Sequence, residues 1–387
     1  MKRLVAWILA LLSVLLLLGT AAADGTVLPP CSEASDGCVL AEVSGEFSVD
    51  APATLHQLNL YRYQACYHGE PDPRFPERKL RLADRSGGEN PSDAVLNRAN
   101  GDYVPAKWNA DLQRIAEIRA VEASFVWGHT RPNGMQWYTV SVNGMTPSME
   151  GIASCFDAVY SLEVYYSEHD YWVNQDTSRV TEHYTSMIDP DYRYYGVAGF
   201  MSVHHWHASA LEARYDVEEE KQDPIPREGI YTQIIDFSAS MLTSLEIIGD
   251  TELTAYSSTH LKVQALYYDE EMKVYEGAVF KSSDPSVVCI GENNGIAVGL
   301  KPGSANITAT VGGETATCRI TVGRMQGTAG GRCGATVYWT LDDAGTLNIS
   351  GLGDTWPYRT GTPSFLPHSS KIKKIVFPEG VTSVGEN

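Results

Sequence analysis

The chain has 387 residues, with 48 acidic and 29 basic side chains and a formal net charge of -19 at pH 7. This excess of negative charge argues against a nucleic-acid partner, because phosphate binding needs clustered lysine and arginine, and against an anionic membrane surface. The length allows two or three domains, and the composition is that of a globular protein.

The first 23 residues have the pattern of a secretory signal peptide. Lys2 and Arg3 precede a mainly apolar run from Leu4 to Leu18, and small residues follow up to Ala23. The run is short for a bilayer span, and no later segment is apolar enough to cross one. We therefore expect residues 1–23 to be cleaved, which leaves an exported chain without a membrane span. A single-span anchor is the alternative.

Seven cysteines occur in this predicted extracellular chain. Oxidising conditions outside the cell favour disulfides, but seven is an odd number and spacing does not fix connectivity, so buried free thiols are the alternative. The candidate pairs are Cys31 with Cys38, Cys66 with Cys155, and Cys289 with Cys318, whereas Cys333 has no evident partner.

Residues 51–215 predict a domain of mixed helices and strands. Ala53–Cys66 has apolar residues at helical spacing, with Asn59 and Arg62 on the same stripe. Buried amide and guanidinium groups need partners, so we expect these two side chains to tie the helix to the domain. A second helix follows the N-cap Asn109 and has two apolar stripes, so we expect it to be covered on both sides. A third helix is predicted within residues 156–172, and strands within residues 194–202 and 206–215.

The remainder of the chain predicts a linker and two β-rich segments. Residues 216–243 begin acidic and proline-containing, which indicates a linker that ends in a strand. Residues 244–323 alternate apolar and polar residues between turn signals, which predicts a small β-sandwich. Residues 326–387 predict a hairpin turned at Asp343–Gly345, followed by a strand without a cap. Because repeat units bury their faces on neighbours, we expect this segment to lead into a truncated repeat region.

Four segments of the first domain carry a family resemblance. They are KWNADLQRIAEIRAVEASFVWGHTRPNG, MEGIA, YYSE and HYTSMIDPDYRYYGVAG, in this order. Together they resemble the CAP superfamily, which includes cysteine-rich secretory proteins, plant pathogenesis-related proteins and bacterial exported proteins. The resemblance implies an α-β-α sandwich with a cleft lined by two histidines and two glutamates. The matching cleft residues are His129, Glu150, Glu168 and His183, and Asn59 and Arg62 match the family's L-N-x-x-R helix.

Three residues depart from the family pattern. Met149 and Gly151 replace the glycine and asparagine that flank the motif glutamate. Tyr165 replaces the usual tryptophan of the helix that carries the second glutamate. The first change alters the surroundings of Glu150, whereas the second keeps an aromatic ring.

The implied cluster allows three kinds of chemistry. His129 and His183 supply two nitrogen ligands for a divalent metal such as Zn²⁺, with carboxylates completing the shell or orienting the rings. Glu150 and Glu168 are the candidate catalytic residues for general acid–base work beside the histidines. A hydrogen-bonded structural cluster is the third interpretation. The sequence has no G-x-S-x-G nucleophile elbow and indicates no particular reaction; an enzyme here would be a metal-dependent hydrolase.

The β-rich segments carry further resemblances. FKSSDPSVVCI, NNGIAVGLKPGSANITAT and TCRITV resemble bacterial immunoglobulin-like group 2 domains, with Phe280 in place of the usual tryptophan. This resemblance implies a spacer or adhesion module. The tail resembles the opening of BspA-like leucine-rich repeat regions.

The sequence as a whole predicts a multidomain α+β chain, with an α-β-α CAP domain followed by an all-β immunoglobulin-like sandwich and a short β-rich C-terminal segment. We expect a secreted or cell-surface bacterial protein whose cleft takes a small molecule, lipid, glycan or peptide, or contacts a host or cell-wall surface. The alternatives are a metal-assisted, protease-like extracellular hydrolase and a purely adhesive surface protein with a vestigial cleft.

Overall fold

The computed structural model describes residues 33–267, 270–357, 363–378 and 380–384. The signal peptide predicted for residues 1–23, and Cys31, lie outside these residues. The chain divides into two compact units, of which the first contains residues 44–131 and 136–233, and the second contains residues 132–135, the described residues before 44, and residue 234 onward. None of the described helices combines the length and the apolar content that a bilayer crossing requires.

The first unit contains the helices and the strands β1–β8, although β1 and β8 each extend beyond its boundaries. The helices are α1 (Ala51–His68), α2 (Asp93–Leu96), α3 (Ala110–Phe125), α4 (Ala158–Tyr166), α5 (His169–Val173) and α6 (Glu182–Ile188). The strands are β1 (Cys38–Ser48), β2 (Pro71–Asp72), β3 (Phe75–Lys79), β4 (Lys107–Trp108), β5 (Met149–Ala153), β6 (Tyr194–Ser202), β7 (His207–Arg214) and β8 (Ile230–Ser238).

The two long helices begin at side-chain caps. The Asp50 carboxylate accepts the Ala53 N–H at 3.0 Å at the start of α1, and α1 ends at Gly69, whose φ of +72° places it in the left-handed region. The predicted N-cap Asn109 is confirmed, since its side-chain oxygen accepts backbone N–H groups of the first turn of α3. Along Asp111–Phe125 only Arg114 is not buried, so the prediction that this helix is covered on both sides is also confirmed.

Helices cover both faces of the sheet in the first unit. Its strand order is β5-β7-β6-β1, and β4 pairs with β6. Because successive strand residues face opposite sides, Tyr195 joins the core formed with α1, α4 and α6, whereas Tyr194 packs against the separate core cluster that contains Leu112 of α3. Gly196 also faces α3, since a Cβ at this position would lie 2.1 Å from the Gln113 backbone nitrogen. These layers form an α-β-α sandwich.

Three features of the first unit differ from the sequence prediction. The single helix predicted within residues 156–172 is two helices, because Ser167 and Glu168 separate α4 from α5. The polar segment predicted as a linker contacts α3, where Lys221 pairs with Asp111 at 2.8 Å and Arg227 pairs with Glu117 at 2.6 Å. The alternating strand β1 precedes the predicted domain start at residue 51.

The second unit is rich in strands. The strands are β9 (Ser244–Ile248), β10 (Glu252–Thr254), β11 (Ser258–His260), β12 (Lys262–Tyr267), β13 (Glu270–Glu276), β14 (Val279–Ser282), β15 (Val288–Ile290), β16 (Ile296–Gly299), β17 (Gly303–Val311), β18 (Glu314–Gly323), β19 (Ala329–Arg332), β20 (Gly334–Leu341), β21 (Thr346–Thr355), β22 (Lys374–Val376) and β23 (Val381–Ser383). They form one four-stranded sheet in the order β10-β18-β17-β14 and one three-stranded sheet in the order β11-β16-β15. A strand-rich region with several sheets thus follows the first unit.

Two further groups of strands lie outside these two sheets. β12, which the alternating pattern of residues 261–268 predicted within the sandwich, instead pairs with β9 and β13. Near the C terminus β20 and β21 form the predicted hairpin, in which Leu341 faces Leu347 and Gly345 turns the chain with a φ of +91°. β22 and β23 both pair with β21 in parallel.

The cysteine pairs predicted within the two domains are not formed. Cys66, Cys155, Cys289 and Cys318 are free thiols, as is Cys38. Cys66 is buried on α1, and burial raises the pKa of its thiol to about 12, which keeps it protonated. The Cys155 Sγ atom lies 3.3 Å from the Ser209 hydroxyl. Cys289 lies on β15 and Cys318 on β18, in separate sheets.

Candidate functional site

Contacts at both ends of the loop that follows α3 hold His129 in place. The backbone oxygen of His129 accepts the Trp137 N–H at 3.0 Å, and Thr130 and Gln136 form an isolated β-bridge. Arg131 is buried and donates to Glu122 of α3 at 2.8 Å. These bonds fix the loop, and they place the imidazole next to the edge strand β5.

The His129 side chain is hydrogen-bonded to Glu150 of β5. Its Nδ1 atom lies 2.7 Å from Glu150 Oε1. From α3, the fully buried Arg119 donates its Nε–H to Glu150 Oε2 at 2.5 Å and a second N–H to Glu122 at 2.6 Å. Burial alone raises the pKa of the Glu150 carboxyl, but the hydrogen bonds and charges of His129 and Arg119 outweigh it, and the net pKa lies below its usual 4.5. Glu150 is therefore ionised at neutral pH.

A second histidine and glutamate pair is built on the short helices. His183 of α6 places its Nδ1 2.6 Å from Oε1 of Glu168, which precedes α5. Glu168 Oε2 also accepts the Tyr184 backbone N–H at 3.0 Å, which fixes the carboxylate at the start of α6. The Tyr184 hydroxyl donates to the buried Glu70 at 2.7 Å on the other side of the helix. The Tyr165 ring stacks on the His183 imidazole, with centroids 5.1 Å apart.

The two pairs have the same hydrogen-bond polarity. A carboxylate only accepts hydrogen bonds, so Nδ1 of His129 and Nδ1 of His183 are the donors in these contacts. In a neutral imidazole the other nitrogen, Nε2, then carries the lone pair. Both rings therefore offer Nε2 as a hydrogen-bond acceptor, proton acceptor or metal ligand.

Both imidazoles line the same cavity. It has a volume of about 590 Å³. Its lining consists of His129, Trp137, Ser148, Met149, Glu150, Val180, Glu182, His183 and Ser186. The structure thus brings His129, Glu150 and His183 together, and it places Glu168 directly behind His183. Val180 is 61% exposed at this cavity, which leaves an apolar contact surface beside the polar groups.

The departures from the family pattern lie together at this site. A Cβ on Gly151 would lie 3.2 Å from the Tyr165 ring and 3.5 Å from the His183 ring. The first distance is tighter than most carbon contacts and the second is an ordinary van der Waals contact, so an asparagine side chain at position 151 would crowd the Tyr165 ring. The absence of a side chain at Gly151 therefore accommodates the stack of Tyr165 on His183.

Asn59 and Arg62 act in the interior, away from the cavity. The Asn59 amide forms a reciprocal pair with the backbone of Ala106, accepting its N–H at 2.7 Å and donating to its oxygen at 3.3 Å. Arg62 donates to three backbone oxygens and to the Tyr195 hydroxyl, at 2.8 to 3.1 Å. These contacts agree with the expectation that the two side chains tie α1 to the domain.

The described residues do not form a complete metal shell. Among them, no group of three or more histidine, cysteine, aspartate or glutamate side chains has an arrangement suited to a metal ion. His129 and His183 supply two nitrogen donors, whereas a catalytic zinc is usually held by three protein ligands. The Zn²⁺ predicted on these histidines stays a prediction.

Several buried charges behind the site were not predicted. Arg119, Glu122 and Glu212 are all fully buried, and Arg131 is nearly so. A signal was present for two of them, because Arg119 and Glu122 lie on a helix whose two apolar stripes indicate burial on both sides. No comparable signal existed for Glu212, whose position depends on the register of β7 against β5.

Comparison with known proteins supports the family resemblance of the first unit. Residues 56–201 match the family model described as "CAP: Cysteine-rich secretory protein family". This match supports placing the region in the CAP superfamily, whose members are typically extracellular. No curated protein matches the chain.

Similar solved structures include an intimin fragment and an S-layer protein. A C-terminal 282-residue fragment of intimin, solved with the intimin-binding domain of its translocated receptor, is 11% identical over 33% of this chain and 50% of its own, with a TM-score of 0.17. The S-layer protein rSbsC(31-844) is 12% identical over 41% of this chain and 23% of its own, with a TM-score of 0.19. This chain spans at most half of the length of either structure.

Proposed function

We propose that this is a secreted or cell-surface bacterial protein whose CAP domain binds an extracellular ligand in the cavity between His129 and His183. The predicted signal peptide and the family match of residues 56–201 support export. The observation that carries the proposal is the pair of His–Glu contacts, each with Nδ1 bound to a carboxylate, at one shared cavity. A carboxylate that accepts the Nδ1–H fixes the tautomer of a histidine and leaves Nε2 for a ligand.

The cavity lining indicates the chemistry of the ligand. Two Nε2 acceptors and the Ser148 and Ser186 hydroxyls suit a ligand with O–H or N–H donors. Trp137 and Val180 offer an apolar surface beside them. Polar groups that fix orientation beside an apolar surface are typical of sites for small molecules. A glycan fits this description well, since sugars combine hydroxyl donors with apolar ring faces, and a peptide or a lipid head with its chain are the other candidates.

The second unit provides the module that presents this cavity. We propose that β10, β14, β17 and β18 with β11, β15 and β16 form the immunoglobulin-like sandwich that the sequence predicts. Phe280, which replaces the usual tryptophan, is 5% exposed, and Ile307 and Ile320 are fully buried, as core residues of a sandwich should be. Such a module serves as a spacer or for adhesion, and the C-terminal strands are proposed to lead into leucine-rich repeats.

Binding is favoured over hydrolysis by the roles of the two carboxylates. In the hydrolase alternative, Glu150 or Glu168 is the base beside a metal held by His129 and His183. Glu150 is instead held by Arg119 and His129, and Glu168 by His183 and a backbone N–H. Carboxylates held in this way orient imidazoles rather than collect protons. We therefore assign both glutamates a positioning role.

The proposal is tested by titrating the mature chain with three probes, namely diacetylchitobiose, palmitate and Zn²⁺, followed by calorimetry and by ¹⁵N-histidine spectra. We expect at least one probe to bind and to shift both cleft histidines. His129→Ala and His183→Ala should each weaken that binding about tenfold or more, the loss expected for one or two hydrogen bonds to the ligand. His56→Ala, on the exposed side of α1, is the matched control and should bind normally.

The other outcomes identify the alternatives. If every probe binds His129→Ala and His183→Ala as tightly as it binds the wild type, or if no probe binds at all, the cleft is vestigial and the protein is adhesive. If Zn²⁺ binds, peptide hydrolysis is measured with Glu150→Gln and Glu168→Gln. Hydrolysis that both variants abolish would favour the metal-assisted hydrolase, whereas equal rates in all chains would exclude a catalytic role for these residues.

A further inference from the structure

A second glutamate lies buried beside Glu150 on the neighbouring strand. Glu212 of β7 is the cross-strand partner of Glu150. Its neighbours Leu211 and Ala213 belong to the core on the opposite face, so Glu212 points towards α3, as Glu150 does. The Glu212 side chain is fully buried, and neither of its carboxyl oxygens has a hydrogen-bond donor. Buried polar atoms almost always have partners, so this carboxyl needs a physical explanation.

The charges around Glu212 are already balanced. The groups that face Glu212 are Arg119 and Glu122 of α3, Glu150 of β5 and the Tyr165 hydroxyl of α4. His129, in the loop after α3, lies next to Glu150. Two guanidinium groups, those of Arg119 and Arg131, neutralise the two carboxylates of Glu122 and Glu150. A third ionised carboxylate would be an uncompensated buried charge, which is very costly in a protein interior.

We propose that Glu212 is a positioning residue of the cleft, which remains a neutral carboxylic acid and donates its O–H to Glu150. This bond gives Glu212 the partner that it lacks as a carboxylate. It also holds the Glu150 carboxylate in the orientation that accepts the His129 Nδ1–H. Glu212 therefore acts on the cavity through Glu150 and His129. The inference rests on the proposed function only in treating Glu150 as a cleft residue.

The acid–base balance of folding supports this assignment. Burial, and then the negative charge of Glu150, raise the pKa of Glu212 well above its usual 4.5. A carboxyl whose pKa is raised by folding stabilises the fold fully below its unfolded-state pKa. That stabilisation is lost progressively as the pH rises towards the folded-state pKa. A glutamine at position 212 has no proton to lose, so it removes this dependence.

The test compares the pH dependence of unfolding in the wild-type chain and in Glu212→Gln, without any ligand. Above about pH 4.5, the folded-to-unfolded ratio of the wild type should fall relative to that of the variant by about tenfold per pH unit, and then level off at the folded-state pKa. Glu46→Gln, an exposed glutamate on β1 of the same sheet, is the matched control. A relative ratio that stays constant from about pH 4 to about pH 8 would overturn the neutral acid.

A second measurement tests positioning and does not depend on one variant folding. In the wild type, the ¹³C carboxyl resonance of Glu212 should have the shift of a protonated acid at neutral pH. Glu212→Gln keeps an N–H donor and should preserve the ¹⁵N resonance of His129 Nδ1, whereas Glu212→Met removes the donor and should shift it. An ionised Glu212, or a His129 resonance unchanged by methionine, would overturn the proposal. Neither result depends on whether any probe binds in the cavity.

Discussion

Arg119→Met should lower the free energy of unfolding by about 3–5 kcal/mol, the largest loss expected for any single substitution near the cavity. Methionine fills much of the volume of the arginine stem but carries no charge. Glu150 and Glu122 each lose a buried donor, and Gly128 loses the donor to its backbone oxygen at 3.1 Å. Removing one partner of a buried ion pair is costly because the remaining charge cannot be solvated. Chemical denaturation measures the loss.

Arg114→Met is the matched control on the same helix. Arg114 is 21% exposed in its side chain and pairs with Glu117 at 3.4 Å. A partly exposed pair of this kind contributes about 1 kcal/mol or less. Equal losses in the two variants would contradict the assignment of Arg119 as the centre of the buried network. A larger loss of stability in Arg119→Met than in Arg114→Met would support this assignment, provided that adding Glu150→Gln to Arg119→Met restores part of the loss.

The second large effect is expected at Arg62, which does not line the cavity. Arg62→Met removes the donors to the backbone oxygens of Val104, Met187 and Tyr192, as well as the bond to Tyr195. Each buried acceptor left without a donor costs about 1–3 kcal/mol. We therefore expect the free energy of unfolding to fall by about 3 kcal/mol or more.

Arg85→Met provides the comparison for Arg62→Met. Arg85 is exposed and donates to the Tyr67 backbone oxygen at 2.7 Å. Water replaces that bond when the guanidinium is removed, so denaturation should detect a loss of about 1 kcal/mol or less. If Arg62→Met unfolds at the same denaturant concentration as Arg85→Met, the expectation that Arg62 ties α1 to the domain is wrong.

The elements of the first unit were largely predictable because their signals are local. Asn109 caps α3 through its own first turn, and apolar periodicity alone indicates burial on both sides of that helix. Segment 216–243 was predicted as a linker because its composition is polar. Its charges find partners on α3, and no local pattern shows that the helix presents Asp111 and Glu117 to that segment.

The site was predictable only through the family resemblance. His129 is 21 positions before Glu150, and Glu168 is 15 positions before His183, and neither separation corresponds to a helical or a strand period. The position of Glu212 opposite Glu150 depends on strand register, which the sequence did not specify. A β-sandwich was expected for residues 244–323, but the pairing of β12 with β9 and β13 was not, since alternation predicts a strand without its neighbours.

Two carboxylates orient two imidazoles so that both present Nε2 to one cavity. ¹⁵N spectra of histidine-labelled protein at mildly alkaline pH test this arrangement, because they distinguish the two neutral tautomers. We predict a proton on Nδ1 and a bare Nε2 for both His129 and His183, with Glu150→Gln altering only His129 and Glu168→Gln altering only His183. Protons on Nε2 in either ring of the unmodified chain would contradict the account.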